Sequence, residues 1–478
     1  MTFYPTPEQQ AIVLAASEST DNLIVQALAG AAKTSTLELL AKALPSTSIL
    51  CLAFNRKIAV EMQERMPSNV KAMTLNGLGH RTWMEATGRR MNLSVDKGYK
   101  IMTELLENLS STDRKEAYER FAELLKLVAF GKQCGYVPRG HYPQAKRLLN
   151  CDEFFNHIDQ KLSDLETQLV VDATVESIKQ SLTSTIDFDD QVFMPTIFHG
   201  SFPRYPLVLV DEAQDLSALN HATLRKLVGT RRIIAVGDSR QAIYGFRGAH
   251  EDSMAKLGET FNMRELVLSL SFRCPEAIVQ HAQWRAPHMR AAKPGGSVTA
   301  LTQWSADSIP DNAMILCRNN APLFSCAIRM LKASRHCELS SGDVAKALLK
   351  VMTKFGPKTM LQPEVLDKID AWAEKEKSKV KQRAWGIIND KVQCMEIFAL
   401  SGATLGDAIA YVNHLINSTG SIKLYTIHKA KGLETDHVFI LDEGLISTEG
   451  QDPNLRYVAQ TRAKRSLTYI ASKDYQGS

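Results

Sequence analysis

The sequence predicts an α/β protein built from two parallel-sheet cores, each carrying a mainly helical insertion. Three observations carry this. Short β-branched or apolar runs recur along the 478 residues and alternate with helical periodicity, the pattern of parallel strands buried on both faces. Four runs fall before residue 240 and three after residue 310, which points to two cores. Residues 84–195 and 331–419 lack the strand signal and read as helices. The expected division is therefore 1–83 with 196–265 for the first core, 84–195 for its insertion, 266–330 with 420–478 for the second core, and 331–419 for a smaller insertion.

In order, the strand runs are "LIVQA" at 23, "SILCLAF" at 48, "LVLV" at 207, "RIIAVG" at 232, "AMILC" at 313, "HVFIL" at 437 and "LTYIA" at 467. The first insertion holds "KIMTELLENL", "RKEAYERFAELLKLVAF" and "ESIKQSLTS"; the second holds the charge-dense "AWAEKEKSKVKQRAW", more often a solvated helix face than a binding surface.

Composition narrows the class. With 44% hydrophobic and 23% charged residues the chain has the make-up of an ordinary globular protein. Its start, "MTFYPTPEQQ", has no basic segment leading into an apolar one, and no stretch approaches about 18 apolar residues. The expectation is a cytoplasmic protein, neither secreted nor membrane-spanning. Cys51, Cys134, Cys151, Cys274, Cys317, Cys326, Cys337 and Cys394 form no C-x-x-C pair, which argues for free thiols rather than a zinc or disulfide framework. The net charge of +5 permits a polyanion partner where basic residues cluster.

Between the first strand run and the helical "TLELLAKAL" lies "ALAGAAKTS", residues 27–35. Strand, small-residue loop, Lys-Thr and helix is the layout of a phosphate-binding loop, although Ala27 and Ala32 replace the usual glycines. Ala29, Gly30, Ala31, Ala32, Lys33, Thr34 and Ser35 are the candidate phosphate contacts, with Lys33 on the β- and γ-phosphates and the Thr34 hydroxyl on Mg²⁺. Ala32 is expected in a right-handed helical conformation. In "YPLVLVDEAQDLS" a buried strand runs into Asp211 and Glu212. Asp211 suits Mg²⁺, which takes one or two carboxylates plus phosphates, and Glu212 suits a base for an attacking water. The loop and the acidic strand together point to phosphoryl transfer at a nucleotide site.

Further along, "AVGDSRQAIYGFRGA" offers Gln241 as a sensor of phosphate state, then Tyr244, Phe246 and Arg247, a ring-and-cation cluster of the kind that holds single strands without sequence preference. "LSLSFRCPEAI" places Phe272 and Arg273 just after a strand, and "NLRYVAQTRAKRSL" places Arg456, Arg462, Lys464 and Arg465 on a helix. Arginine across a cleft stabilises charge developing on a γ-phosphate.

The ordered set "TPEQQ", "ALAGAAKTS", "CLAFNRKIAVEM", "TLNGLGH", "LVDEAQD", "VGDSRQAIYGFRGA", "LSFRCP", "LCRNNA", "YTIHKAKGLE" and "RYVAQTRA" resembles superfamily 1 DNA helicases of the UvrD/Rep/PcrA type, with wording nearer the F-box helicase and phage-encoded branch. The resemblance covers the chain outside the two insertions. It implies two RecA-like domains with ATP between them, ATP hydrolysis with Mg²⁺, and 3′ to 5′ movement on single-stranded DNA with unwinding at single-strand/duplex junctions. It also implies that Gln9 reads adenine, Phe272 stacks on it, and Glu434 lies near the ribose. Gln241 is then the γ-phosphate sensor, with Arg273 and Arg462 closing on that phosphate. Phe54, Asn55, Thr74, Tyr244, Phe246, Arg247, Thr426 and His428 match positions at or near the DNA. Phe246 replaces the usual tryptophan, and Asn76 stands where the family has histidine, so no role is carried to it. Two other outcomes stay open: a translocase that displaces bound proteins with little unwinding, and an ATP-switched binding module without turnover.

Overall fold

A computed structural model describes residues 4–245 and 252–476. They form two units: one is mainly residues 4–268, without 29–31 and 159–161, and the other is mainly 269–476 together with those two short segments.

In the first unit β1 (Leu23–Ala27), β2 (Ile49–Ala53) and β3 (Val70–Thr74) belong to the main sheet. β4 (Asn92–Leu93) and β5 (Thr185–Ile186) make a two-residue parallel pair of their own, inside the stretch read as mainly helical. β6 (Leu207–Val210), β7 (Arg232–Gly237) and β8 (Arg264–Leu268) complete the main sheet in the order β3-β2-β6-β7-β1-β8, every pairing parallel. Parallel strands put all their carboxyl ends on one edge, so the loops after β1, β2, β6 and β7 emerge together, where such sheets hold ligands. Ile24, Leu50, Leu52, Val208, Val210, Ile233 and Ala235 pack with Leu224, Leu227 and Trp83 in the core.

The insertion has its own core of Ile101, Met102, Leu106, Leu124, Leu127, Tyr136, Phe154 and Leu169. Buried charge pins it to the rest of the unit. Lys97 Nζ lies 2.7 Å from Asp190 Oδ2, and Lys132 Nζ lies 2.6 Å from Asp187 and 2.7 Å from Asp190. Lys97 also donates to the Ser177 carbonyl and the Ser181 hydroxyl. Three helices, Lys97–Glu107, Phe121–Gln133 and Asp190–Ile197, are thereby tied through one carboxylate.

The second unit pairs β9 (Leu270–Pro275) with β10 (Arg290–Lys293). It builds a six-stranded, all-parallel sheet from β11 (Ser297–Ala300), β12 (Met314–Cys317), β13 (Cys337–Leu339), β14 (Ile422–Thr426), β15 (Thr435–Leu441) and β16 (Ala463–Ile470), in the order β11-β16-β15-β12-β14-β13. The α/β expectation with two parallel sheets holds. Several local expectations do not. Cys337–Leu339 is an edge strand inside a stretch read as helical, because three residues are too few to show alternation. Phe272 and Arg273 lie within β9 rather than after a strand. Of the basic residues assigned to one helix, Arg456 is in Asp452–Gln460, Arg462 follows its end, and Lys464 and Arg465 lie on β16. The helices of 331–419 share one core with the sheet: Met395 and Phe398 pack with Phe324, Leu424 and Phe439. Cys51, Cys274, Cys317, Cys326, Cys337 and Cys394 are buried free thiols, and Cys134 is half-buried.

Candidate active site and nucleic-acid interface

The loop after β1 opens the helix Lys33–Ala43, whose Leu37, Leu40 and Ala41 face the core. Ala32 takes φ 56, ψ 43, left-handed, and the right-handed expectation is corrected. A turn tight enough to start the helix one residue later forces the chain through φ > 0, as Gly30 also does at φ 75. Lys33 Nζ sits 3.3 Å from Glu212 Oε1. Burial disfavours the charge on Lys33, but Glu212, Asp238 and Asp211 together outweigh it and hold the amine above its ordinary pKa.

Asp211 follows β6 directly. Its amide donates to the Leu52 carbonyl and its Oδ1 accepts from the Glu212 amide at 3.0 Å. Burial and the neighbouring Glu212 push its carboxyl up to about 7, against the pull of Lys33. Glu212 is itself left-handed, φ 51, and its Oε2 accepts from Gln214 Nε2 at 2.5 Å. After β7, Asp238 is fully buried; its amide donates to Gln214 Oε1 and its Oδ2 accepts from Gln241 Nε2 at 2.7 Å. Burial raises the Asp238 carboxyl too, with Lys33 opposing. Lys33, Asp211, Glu212 and Gln241 are thus gathered by three strand ends, bridged by Asp238 and Gln214, to neither of which the sequence assigned a role.

Gln9 is buried in a capping box: Thr6 and Gln9 exchange bonds at the start of Pro7–Glu18, and Gln9 Nε2 donates to Thr36 Oγ1 at 3.0 Å. Ser35 Oγ accepts a long 3.4 Å bond from Arg65. Thr34 is half-buried in the first turn after the loop, and Ala29, Ala31 and Ala32 leave no side chain beyond a methyl there. Thr34 and Asp211 carry oxygen donors of the hard kind that Mg²⁺ takes together with phosphate and water.

In the second unit Arg273 Nε donates to Glu434 Oε2 at 2.6 Å and its Nη1 to the Thr461 carbonyl at 3.3 Å. Burial would raise the Glu434 carboxyl, yet Arg273, Lys464 and Arg462 hold it below its ordinary range. Arg462 is 1% exposed, donating to the carbonyls of Val458 and Leu433 and to Thr461 Oγ1. Phe272 is half-buried on β9.

On the carboxyl edge of the first unit, Phe54 is 48% exposed and its ring lies nearly parallel to that of Tyr244, 8° apart with centroids at 6.2 Å. Both border a cavity of about 200 Å³. Phe188, missed in the sequence because a single ring among aspartates has no periodicity, borders it too and is 54% exposed. Asn76 Nδ2 donates to the Phe188 carbonyl at 2.6 Å. Asn55 and Thr74 cap the helices Arg56–Arg65 and Leu75–Thr87 through their side chains. Thr426 and His428 lie at the end of β14 and on the short helix after it. Phe246 and Arg247 lie outside the described residues. Among those described, no group of three His, Cys, Asp or Glu residues could by itself hold a metal ion, and no helix is long and apolar enough to cross a membrane.

Residues 6–262 match the family model of the UvrD/REP helicase N-terminal domain, and residues 393–474 that of the UvrD-like helicase C-terminal domain. The chain is 25% identical to the F-box DNA helicase protein 1 of Schizosaccharomyces pombe over 97% of its own length and 57% of that protein's. It is 22% identical to the F-box DNA helicase 1 of Gallus gallus (98% and 49%) and 26% identical to the DNA helicase II of Escherichia coli (55% and 38%). It thus spans at most 57% of the length of these relatives.

Proposed function

Since the chain belongs to the UvrD/REP helicase family, we propose that it is an ATP-dependent DNA helicase, a DNA-stimulated ATPase that moves 3′ to 5′ on single-stranded DNA and separates strands at single-strand/duplex junctions. The observation that carries this is the charge cluster at the ends of β1, β6 and β7: a raised lysine 3.3 Å from a carboxylate, beside a second, buried carboxyl. Such a group has an anion site, a cation site and a base within one small volume.

In this reading ATP phosphates enter along the loop from Ala29 to Ser35 and give Lys33 a new anionic partner. Glu212, released from Lys33 but still held by Gln214, orients and deprotonates the attacking water. Thr34 and Asp211 hold Mg²⁺, which offsets the phosphate charge. Gln241, anchored by Asp238, reports the γ-phosphate. Arg273 and Arg462 supply charge to the transition state, and Glu434 keeps Arg273 oriented. Gln9 and Phe272 receive the adenine. The rings of Phe54 and Tyr244, and on the same grounds Phe188, hold successive bases, with Asn55, Thr74, Arg247, Thr426 and His428 near the backbone and Phe246 among the stacking rings.

The test is phosphate release with and without single-stranded DNA for wild type, Lys33→Ala and Glu212→Gln. The expected result is strong stimulation in wild type and loss in both variants, at least 100-fold for Glu212→Gln. Unstimulated turnover, or full activity in Lys33→Ala, would sink the proposal.

A further inference from the structure

The turn after β6 supports an inference that rests on the ATPase reading and deepens it. Glu212 presents its two carboxylate oxygens to different partners: Oε1 lies 3.3 Å from Lys33 Nζ, and Oε2 accepts from Gln214 Nε2 at 2.5 Å. A phosphate that draws Lys33 away leaves the Gln214 bond in place. The direction of the base then depends on where Gln214 is held.

Gln214 is 1% exposed, and both ends of its carboxamide are committed. Oε1 accepts from the Asp238 amide at 3.0 Å. Because a backbone N–H only donates, the oxygen must face Asp238 and Nε2 must face Glu212. Gly237 makes this approach possible, since a Cβ there would run into Gln214 Oε1 and stand 2.9 Å from Met254 Sδ. The turn Ala213–Asp215 is itself anchored: the Ser253 hydroxyl donates to the Ala213 carbonyl at 2.7 Å, and His221 Nε2 lies 2.9 Å from that hydroxyl. Asp238 in turn holds Gln241, its carbonyl accepting from the Gln241 amide at 2.8 Å and its Oδ2 from Gln241 Nε2 at 2.7 Å. A continuous chain of hydrogen bonds therefore runs from Gln241 through Asp238 and Gln214 to Glu212, and such chains respond as a unit where the dielectric is low.

We propose that Gln214 is a positioning residue that ties the direction of the Glu212 carboxylate to the state of Gln241, so that the base is aligned while the γ-phosphate is held there and slackens once phosphate has left.

Gln214→Met tests this, because methionine keeps the length of the side chain and removes the amide donor. Phosphate release at saturating single-stranded DNA, titration with a fluorescent ATP analogue, and thermal unfolding are compared for wild type, Gln214→Met, Gln241→Met and the double variant. In Gln214→Met kcat should fall about 10- to 100-fold, while KM and the Kd of the analogue stay within about threefold of wild type. The double variant should turn over within about threefold of the slower single variant, because residues acting as a unit are not additive. The inference is overturned by a wild-type kcat in Gln214→Met, by nucleotide affinity that falls together with kcat, or by losses that multiply in the double variant. Where thermal unfolding shows that Gln214→Met does not fold, Gly237→Ala, which displaces the carboxamide without removing it, should give the same split; a normal kcat there overturns the inference too. Wild type without DNA-stimulated release removes the ATPase reading itself, whereas stimulated release that is indifferent to Gln214 removes the relay alone.

Discussion

Ala32 and Glu212 are two non-glycine residues held at φ 56 and φ 51, one on each side of the Lys33–Glu212 ion pair. Each pays roughly 1–2 kcal/mol for the left-handed region. At Ala32 a glycine would remove the Cβ conflict, partly offset by the entropy it adds to the unfolded chain. Ala32→Gly is therefore expected to raise the unfolding free energy by about 1 kcal/mol in urea melts; a loss of stability would contradict the left-handed turn. Single-residue chemistry was unevenly legible. "TPEQQ" is a capping-box pattern, S/T-x-x-Q, and Gln9 is accordingly fixed by Thr6. Ala32 stands where the motif has glycine, which raised the left-handed alternative, but alanine's own preference for the right-handed region pointed the other way.

At the scale of elements, the lysine–aspartate cluster fastens the insertion helices, and its energetics set how this region responds to acid. Lys132 and Lys97 hold the Asp190 carboxyl at about 2 despite its burial. A carboxyl lowered in the fold stabilises above its unfolded pKa, so this contribution, about 2 kcal/mol, is lost as pH falls from about 4 through 2. Asp189 is the opposite: burial and Asp187 raise it to about 6, so its protonated form is favoured and stability is lost as pH rises from about 4 through 6. Urea unfolding across pH 2–7 should show both slopes, and Asp189→Asn should flatten the upper one. Asp190→Ala, which leaves two buried lysines short of a partner, should cost about 3–5 kcal/mol. The helices of 331–419 share a core with their sheet, so their amides should exchange with that sheet as one unit, whereas the insertion with its own core should exchange separately. Strand runs of four or more apolar residues announced themselves; the two-residue β4 and β5 and three-residue β13 could not, since pairing with a neighbour rather than pattern makes them strands.

For the whole molecule, a net charge of +5 gives only a mild attraction to nucleic acid, so the proposed single-strand binding would rest on the exposed rings. Phe54→Ala is expected to weaken single-strand binding by about 1–3 kcal/mol in anisotropy titrations. Affinity should also fall linearly in log–log terms as salt rises, because phosphate contacts release counterions. A ring loss without effect would move the interface elsewhere.

By itself the sequence determined the class of fold, the phosphate loop, the acidic strand end and the family resemblance, because these depend on local order along the chain: an apolar run, then a loop of fixed composition, then a helix. Tertiary structure alone decided that Asp238 and Gln214 bridge the acidic residues, that Arg462 is buried among carbonyls rather than exposed, and that Phe188, Asn76 and Asp189 border the same cavity as Phe54. Asp238 and Gln214 meet because the parallel sheet of the first unit sends its strand ends to one edge, and Asn76 and Phe188, 112 positions apart, meet through a side-chain bond to a backbone carbonyl; neither kind of contact is written in local order.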